Sequence, residues 1–134
     1  MIYADSGIIM RWVEGTSQAR DPIRLCWQQL PPTDRAFATS RLSRLECRCK
    51  PLHDNQEHLL RQYEIFFSGR EVDVREIDAA VVEKATDLRA KVGLKTPDAI
   101  HAATAILAGV KSFWTTDFDF FKCPDLNVEL FRAV

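Results

Sequence analysis

Four acidic residues stand where a folded chain has reason to gather them: Asp5, Glu46, Asp98 and Asp117. Asp5 ends the apolar run Met1–Ala4, and Asp117 ends the run Val110–Thr116. Asp98 follows Thr96-Pro97 in what reads as the first turn of a helix. Glu46 lies inside the helical pattern Leu42-Leu45-Glu46-Cys49, on the face that its helix is expected to bury. Carboxylates brought to one place repel each other unless a cation sits among them. No lysine or arginine falls inside these motifs on the same face. The natural neutraliser is then a hard divalent ion with oxygen ligands, Mg²⁺ or Mn²⁺. Such an ion activates water and stabilises charge on a phosphoryl oxygen, and a second ion can hold the leaving oxygen. That is the chemistry of phosphodiester hydrolysis.

Each acid also has a quieter explanation. Asp5 can cap the turn that follows a strand, Asp98 is a favourable acid at a helix N-terminus, and Asp117 can be a turn residue. Glu46 can pair with Lys50 one turn on, but such a pair is worth only about 0.3–0.5 kcal/mol, less than burying an uncompensated carboxylate costs. Singly these explanations compete with a shared site; jointly they compete less well.

The elements that would position the acids follow from hydrophobic spacing. Met1–Ala4 reads as a short buried strand stopping at Asp5-Ser6-Gly7. Asp21-Pro22 reads as a helix start, with Ile23, Cys26, Trp27 and Leu30 as one stripe ended by Pro31-Pro32. Ala36–Thr39 is a weaker strand, Ser40 can cap the next helix, and Asp54-Asn55-Gln56-Glu57 resembles a capping box opening a helix through Phe67. After the Ser68-Gly69 break, Val72, Val74 and Ile77 alternate as a strand. Asp78 opens a helix with the stripe Val81, Ala85, Leu88 and Val92, closed by Gly93. Thr96 to Leu107 is a helix apolar almost all round, Val110–Thr116 a strand, and Asn127–Phe131 a last strand. Strands alternating with helices predict an α/β three-layer sandwich on a mostly parallel sheet. Ligands in such sheets bind beyond the carboxyl ends of the strands, the end where Asp5 and Asp117 fall.

Composition bounds the rest. The 134 residues, with no repeat or linker, predict a single domain, 1–134. With 18 Lys+Arg against 19 Asp+Glu the formal net charge is −1, which excludes attachment to nucleic acid by bulk positive charge. The average hides two regions: residues 1–50 carry eight Lys+Arg and five Asp+Glu, whereas the remainder carries ten and fourteen. Cys26, Cys47, Cys49 and Cys123 form no C-x-x-C pair and read as reduced thiols rather than a zinc site. With no apolar leader and no stretch long enough for a membrane span, the expectation is a soluble cytoplasmic protein without a membrane partner. Arg41, Arg44, Arg48 and Lys50 form a basic run beside Glu46, either a solvated helix face or, for the three arginines, contacts to the phosphates of a nucleic-acid substrate. His101 reads as a core histidine that can reach the site's edge, while Trp12, Trp27 and Phe66-Phe67 read as core or as protein contacts.

The chain resembles the PIN domain family, specifically its VapC-type ribonuclease toxins. The likeness runs through Ile2-Tyr3-Ala4-Asp5-Ser6, Thr39-Ser40-Arg41-Leu42-Ser43-Arg44-Leu45-Glu46-Cys47-Arg48, Leu94-Lys95-Thr96-Pro97-Asp98-Ala99-Ile100-His101-Ala102-Ala103-Thr104-Ala105 and Trp114-Thr115-Thr116-Asp117-Phe118-Asp119-Phe120. The resemblance implies a five-stranded sheet in the order 3-2-1-4-5 and RNA cleavage dependent on Mg²⁺ or Mn²⁺. It further implies the toxin role in a type II toxin–antitoxin pair, with a VapB-like antitoxin and a homodimer or larger complex. By position Asp5, Glu46, Asp98 and Asp117 match the family's acidic quartet, Asp119 an additional acid that can share the metal, and Ser6 and Thr115 supporting hydroxyls. Thr116 stands where asparagine is frequent, and its hydroxyl is expected to keep the local hydrogen bond. The implied mechanism has Asp5 and Asp98 anchoring the metal, Glu46 and Asp117 holding it directly or through water, and metal-activated water attacking the phosphate. Two other readings remain open: a PIN-like module that binds RNA or protein without catalysis, and an aspartyl-nucleophile phosphohydrolase built on Asp117-Phe118-Asp119.

Overall fold

The computed structural model describes residues 1–132. Five parallel strands, β1 (Ile2–Ala4), β2 (Phe37–Ser40), β3 (Val72–Arg75), β4 (Ser112–Thr115) and β5 (Val128–Leu130), form one sheet in the order β3-β2-β1-β4-β5. Helices α1 (Ser6–Glu14), α2 (Ser17–Gln29), α3 (Arg41–His53), α4 (Glu57–Phe67), α5 (Ala79–Val92) and α6 (Thr96–Ala108) connect the strands. Central β1 pairs Ile2 with Phe37 on one side and Ala4 with Trp114 on the other. The chain leaves β1 towards β2 and β3, then returns beyond β1 to β4 and β5, so the topological switch lies between β1 and β4. A crevice at the strands' carboxyl ends is expected there, and Asp5 and Asp117 flank it.

Alternation along the strands divides the core into two layers. Tyr3 and Phe113 face one layer with Val81, Leu88 and the alanines of α6. Ile2, Ala4 and Trp114 face the other with Ile8, Ile9, Ile23, Tyr63 and Phe67. The small residues Ala99, Ala102, Ala103 and Ala105 are buried, as expected for a helix pressed against a sheet. Asp78 caps α5 by accepting from the Val81 N–H, and Gly93 ends it at φ +82°.

Local departures from the sequence reading have identifiable causes. A helix, α1, begins directly after Asp5, where only a turn was expected. Helix α2 starts at Ser17, not Asp21, and contains Pro22. Burial of both Ala19 and Ile23 rewards the earlier start; the carbonyl that Pro22 cannot serve belongs to exposed Gln18, where water can reach it. Helix α3 runs on through Pro51 to His53, so Asp54 terminates it, and Gln56 precedes α4 without a side-chain cap. Ile77 lies outside β3 and is exposed. Most consequentially, α3 buries Ser43, Cys47 and Pro51. The stripe Leu42-Leu45-Cys49 faces outward, and Glu46 sits at the margin between the two faces, half-buried rather than central.

Candidate metal centre

Asp5 is built into the backbone of the site. It occupies the N-cap of α1, where Oδ1 accepts the Ile8 N–H at 3.0 Å and Oδ2 accepts the Thr115 hydroxyl. Thr115, at the end of β4, also accepts the Asp117 N–H at 2.9 Å through the same hydroxyl oxygen. One buried threonine therefore couples Asp5 to Asp117 across the β1–β4 switch. Asp117 in turn accepts the Asp119 N–H at 2.9 Å, capping the 3₁₀ turn Phe118–Lys122. Asp98 arrives from the opposite side, in the first turn of α6. Carboxylate oxygens of Asp98, Asp117 and Asp119 lie within 4.8 Å of one another.

Little offsets this concentration of charge. Lys122 stands 3.8 Å from an Asp119 oxygen. Burial, followed by the charge of Asp117, raises the Asp98 pKa above the ordinary 3.8; His101 opposes the shift, Asp119 adds to it, and Lys95 contributes last. Burial likewise raises Asp5, against the lowering effects of the Thr115 bond, the nearby His101 and the Ile8 N–H. A six-coordinate Mg²⁺ or Mn²⁺ with oxygens at about 2.1 Å holds neighbouring ligand atoms about 3–4 Å apart. An all-oxygen, net-negative cluster whose oxygens lie within 4.8 Å of one another suits such a cation once the side chains draw in around it.

Glu46 is held differently. Its Oε1 accepts from the Ser6 hydroxyl at 2.7 Å and from His101 Nε2 at 2.7 Å. The His101 bond is the main reason that its pKa falls below 4.5, with burial opposing and Ser6 assisting. The Ser6 and Ser43 hydroxyl oxygens lie 3.2 Å apart, and Ser43 shares a 2.8 Å hydrogen bond with Thr39.

A search of family models matches residues 2–126 to the PIN domain. The chain belongs to the PIN domain family. Among curated protein sequences none is significantly similar. Solved structures with the same fold include a toxin-antitoxin complex from Klebsiella pneumoniae, 22% identical with a TM-score of 0.75, the alignment covering 99% of this chain and 100% of that one. The VapBC2 complex of Rickettsia felis bound to a promoter DNA fragment is 17% identical, with a TM-score of 0.74 and 97% and 98% of the two chains covered. VapC20 of Mycobacterium tuberculosis, a sarcin-ricin loop cleaving toxin, is 16% identical, with a TM-score of 0.76 and 96% and 99% covered.

In this PIN domain the structure brings Asp98, Asp117 and Asp119 into one cluster. Asp5 and Glu46 lie outside that cluster: Asp5 is tied to it through Thr115, and Glu46 is linked to its surroundings by Ser6, next to Asp5, and His101, one turn after Asp98. Asp5 combines the capping role with its place at the site, so the two readings of that residue are compatible. Thr116 departs from expectation. Among the described residues its hydroxyl makes no hydrogen bond of the expected kind; the bond belongs to Thr115, and Thr116 instead lies against Gly7. A Cβ at Gly7 would meet Thr116 Oγ1 at 2.5 Å, so a larger residue there would force the Thr116 side chain to move.

The arginines are elsewhere. Arg41 pairs with Glu76 at 2.8 Å, Arg44 with Glu64 at 3.0 Å and Arg48 with Glu64 at 3.9 Å. With Leu42, Leu45, Leu52, Leu60 and Ile77 they line a groove of about 950 Å³ that includes none of the clustered acids. Gly7 and the Glu46–His101 bond were missed by sequence reasoning. A signal for the second existed: His101 lies three residues after Asp98, on the same helix face.

Proposed function

We propose that this PIN domain is a metal-dependent endoribonuclease acting in the cytoplasm as the toxin of a type II toxin–antitoxin pair. The observation that carries the reading is the convergence of Asp98, Asp117 and Asp119, with Asp5 buried beside them at the β1–β4 switch. A binding module has no reason to bear that repulsion.

Asp98, Asp117 and Asp119 would hold Mg²⁺ or Mn²⁺, with Asp5 and Glu46 contributing directly or through water. When bound, the ion supplies Lewis-acid stabilisation of a phosphoryl oxygen and water of lowered pKa. The protein's own groups supply orientation. Thr115 fixes the Asp5 carboxylate against the α1 N-terminus and holds the Asp117 backbone, and Ser6 fixes Glu46. RNA phosphates would exchange with Glu64 and Glu76 for Arg41, Arg44 and Arg48. The similar Klebsiella and Rickettsia structures are complexes, and the apolar groove between α3 and α4 supports protein docking here as well, either by a VapB-like antitoxin or in a homodimer.

The test is cleavage of a panel of defined RNAs. The expected result is cleavage with Mg²⁺ or Mn²⁺, none in EDTA, and none by a folded Asp5→Asn variant. Persistence of cleavage in EDTA, or full activity of that variant, refutes the reading.

A further inference from the structure

Beneath the acidic cleft, β1 and α6 are joined by a second polar contact. Tyr3, two residues before Asp5 and fully buried, places its hydroxyl 2.7 Å from His101 Nδ1. His101, one turn after Asp98, is also buried and places Nε2 2.7 Å from Glu46 Oε1. The strand and helix that carry Asp5 and Asp98 thus carry, one layer deeper, the pair that grips Glu46.

The proton positions follow from chemistry. An ionised carboxylate only accepts, so Nε2 must bear hydrogen. With the ring neutral Nδ1 accepts from the Tyr3 hydroxyl, and with it protonated Nδ1 donates to the hydroxyl oxygen; Nε2–H grips Glu46 in both states. Burial holds the Tyr3 pKa far above its ordinary 10.0 and keeps its hydroxyl protonated. The Tyr3 ring is itself fixed, stacked on Phe113 at 4.9 Å and 5° and edge-on to His101 at 5.8 Å. Among the described residues, Glu46 Oε1 takes both donors and Oε2 takes none.

We propose that His101, oriented by Tyr3, is a positioning residue: it commits one oxygen of Glu46 to the protein and presents the other to the cation cluster. The proposal rests on the metal-centre reading. Residues that orient a ligand's carboxylate typically change metal affinity 10–100-fold when removed.

The experiment titrates Mn²⁺ into the folded protein by calorimetry, with melting temperature measured alongside. His101→Leu should weaken binding about 10–100-fold, and His101→Gln, which keeps both a donor and an acceptor, should restore most of it. His101→Leu added to Glu46→Gln should weaken binding no further than Glu46→Gln alone, because both act through one carboxylate. A merely structural role would move melting temperature without this non-additivity. Tyr3→Phe keeps the ring and removes only the hydroxyl, so it provides the same reading if His101→Leu does not fold; its Mn²⁺ affinity should fall several-fold. The ¹⁵N spectrum of the wild type should show hydrogen on His101 Nε2. A bare Nε2 overturns the proposal. So does wild-type Mn²⁺ affinity in His101→Leu and Tyr3→Phe while Glu46→Gln and Asp98→Asn lose it, and that result leaves the metal centre standing. Equal Mn²⁺ affinity in wild type and Asp98→Asn overturns the metal centre and this inference together.

Discussion

The two sides of the acidic cleft handle negative charge in opposite ways. On one side Glu46 is satisfied by the protein: two donors converge on one oxygen, and its pKa is lowered. On the other, Asp98, Asp117 and Asp119 crowd together, the one cation in contact among the described residues is Lys122 at 3.8 Å from Asp119, and Asp98 is raised. Asp5 shares features of both, being well hydrogen-bonded yet raised by burial. A protein selected for stability alone would treat both sides like Glu46. On the proposed reading the aspartate side is arranged for a cation, whereas the glutamate side is already held by the protein.

The largest test of this contrast is catalytic. Asp98→Asn and Asp117→Asn should each lower RNA cleavage by about 10³-fold or more, the loss of several kcal/mol of charge stabilisation, in proteins whose circular dichroism is unchanged. Full activity in either would mean that the crowded side is not the reactive one.

Next comes linkage. An ion that binds only the folded state at 100 times its dissociation constant stabilises by about 2.7 kcal/mol, which for a domain of this size is a rise of roughly 8 °C in melting temperature. Mn²⁺ should produce a shift of this order in wild type and a much smaller one in Asp119→Asn. Glu64→Gln, in the groove, should retain the full shift; if it does not, the ion is binding outside the cluster.

How legible this contrast was in the sequence depends on the residue. Asp5 and Asp117 were readable because a parallel sheet places its strand ends together, and the spacing of strands along the chain encodes that sheet. The arrangement around Glu46 was not. Its helix carries leucines on a solvent-open groove, Leu45 and Leu52 among them, and buries Ser43 instead. A periodicity argument that equates apolar with buried picks the wrong face whenever a surface is apolar for another purpose. Pro22 misled for a related reason: proline is favoured at a helix start but tolerated later where the orphaned carbonyl meets water. The Glu46–His101 contact joins residues 55 apart, and only the assembled sheet and helices determine it.

Stability without metal should separate the two sides by sign. Asp98 has a raised pKa, so above that value its ionised form opposes folding. Asp98→Asn should therefore stabilise the metal-free protein at pH 7, by a few tenths to about 1 kcal/mol at a half-exposed, solvent-screened site. That advantage should shrink as pH falls through the raised value towards 3.8. Glu46 has a lowered pKa, and its contribution is complete above 4.5 and lost as pH falls through the lower folded value. Glu46→Gln should destabilise at pH 7 by about 1–2 kcal/mol, since charge-assisted hydrogen bonds are weakened, and converge on wild type in acid. Denaturant melts of the three proteins at several pH values suffice, and equal signs for the two variants would remove the distinction between the sides.

The smallest effects concern the arginines, which separate surface charge from the cleft. Arg41 and Glu76 are both more than half exposed, so Arg41→Ala should change stability by less than about 1 kcal/mol. Its consequence for RNA is more discriminating. Each phosphate contact to a single strand contributes about 0.7 to the dependence of log affinity on log salt. If Arg41 exchanges Glu76 for a phosphate, Arg41→Ala should lower that slope by about this amount, and Glu76→Gln, which frees the guanidinium, should tighten RNA binding at low salt. An unchanged slope in Arg41→Ala would remove Arg41 from the RNA contacts and leave it on a solvated helix face.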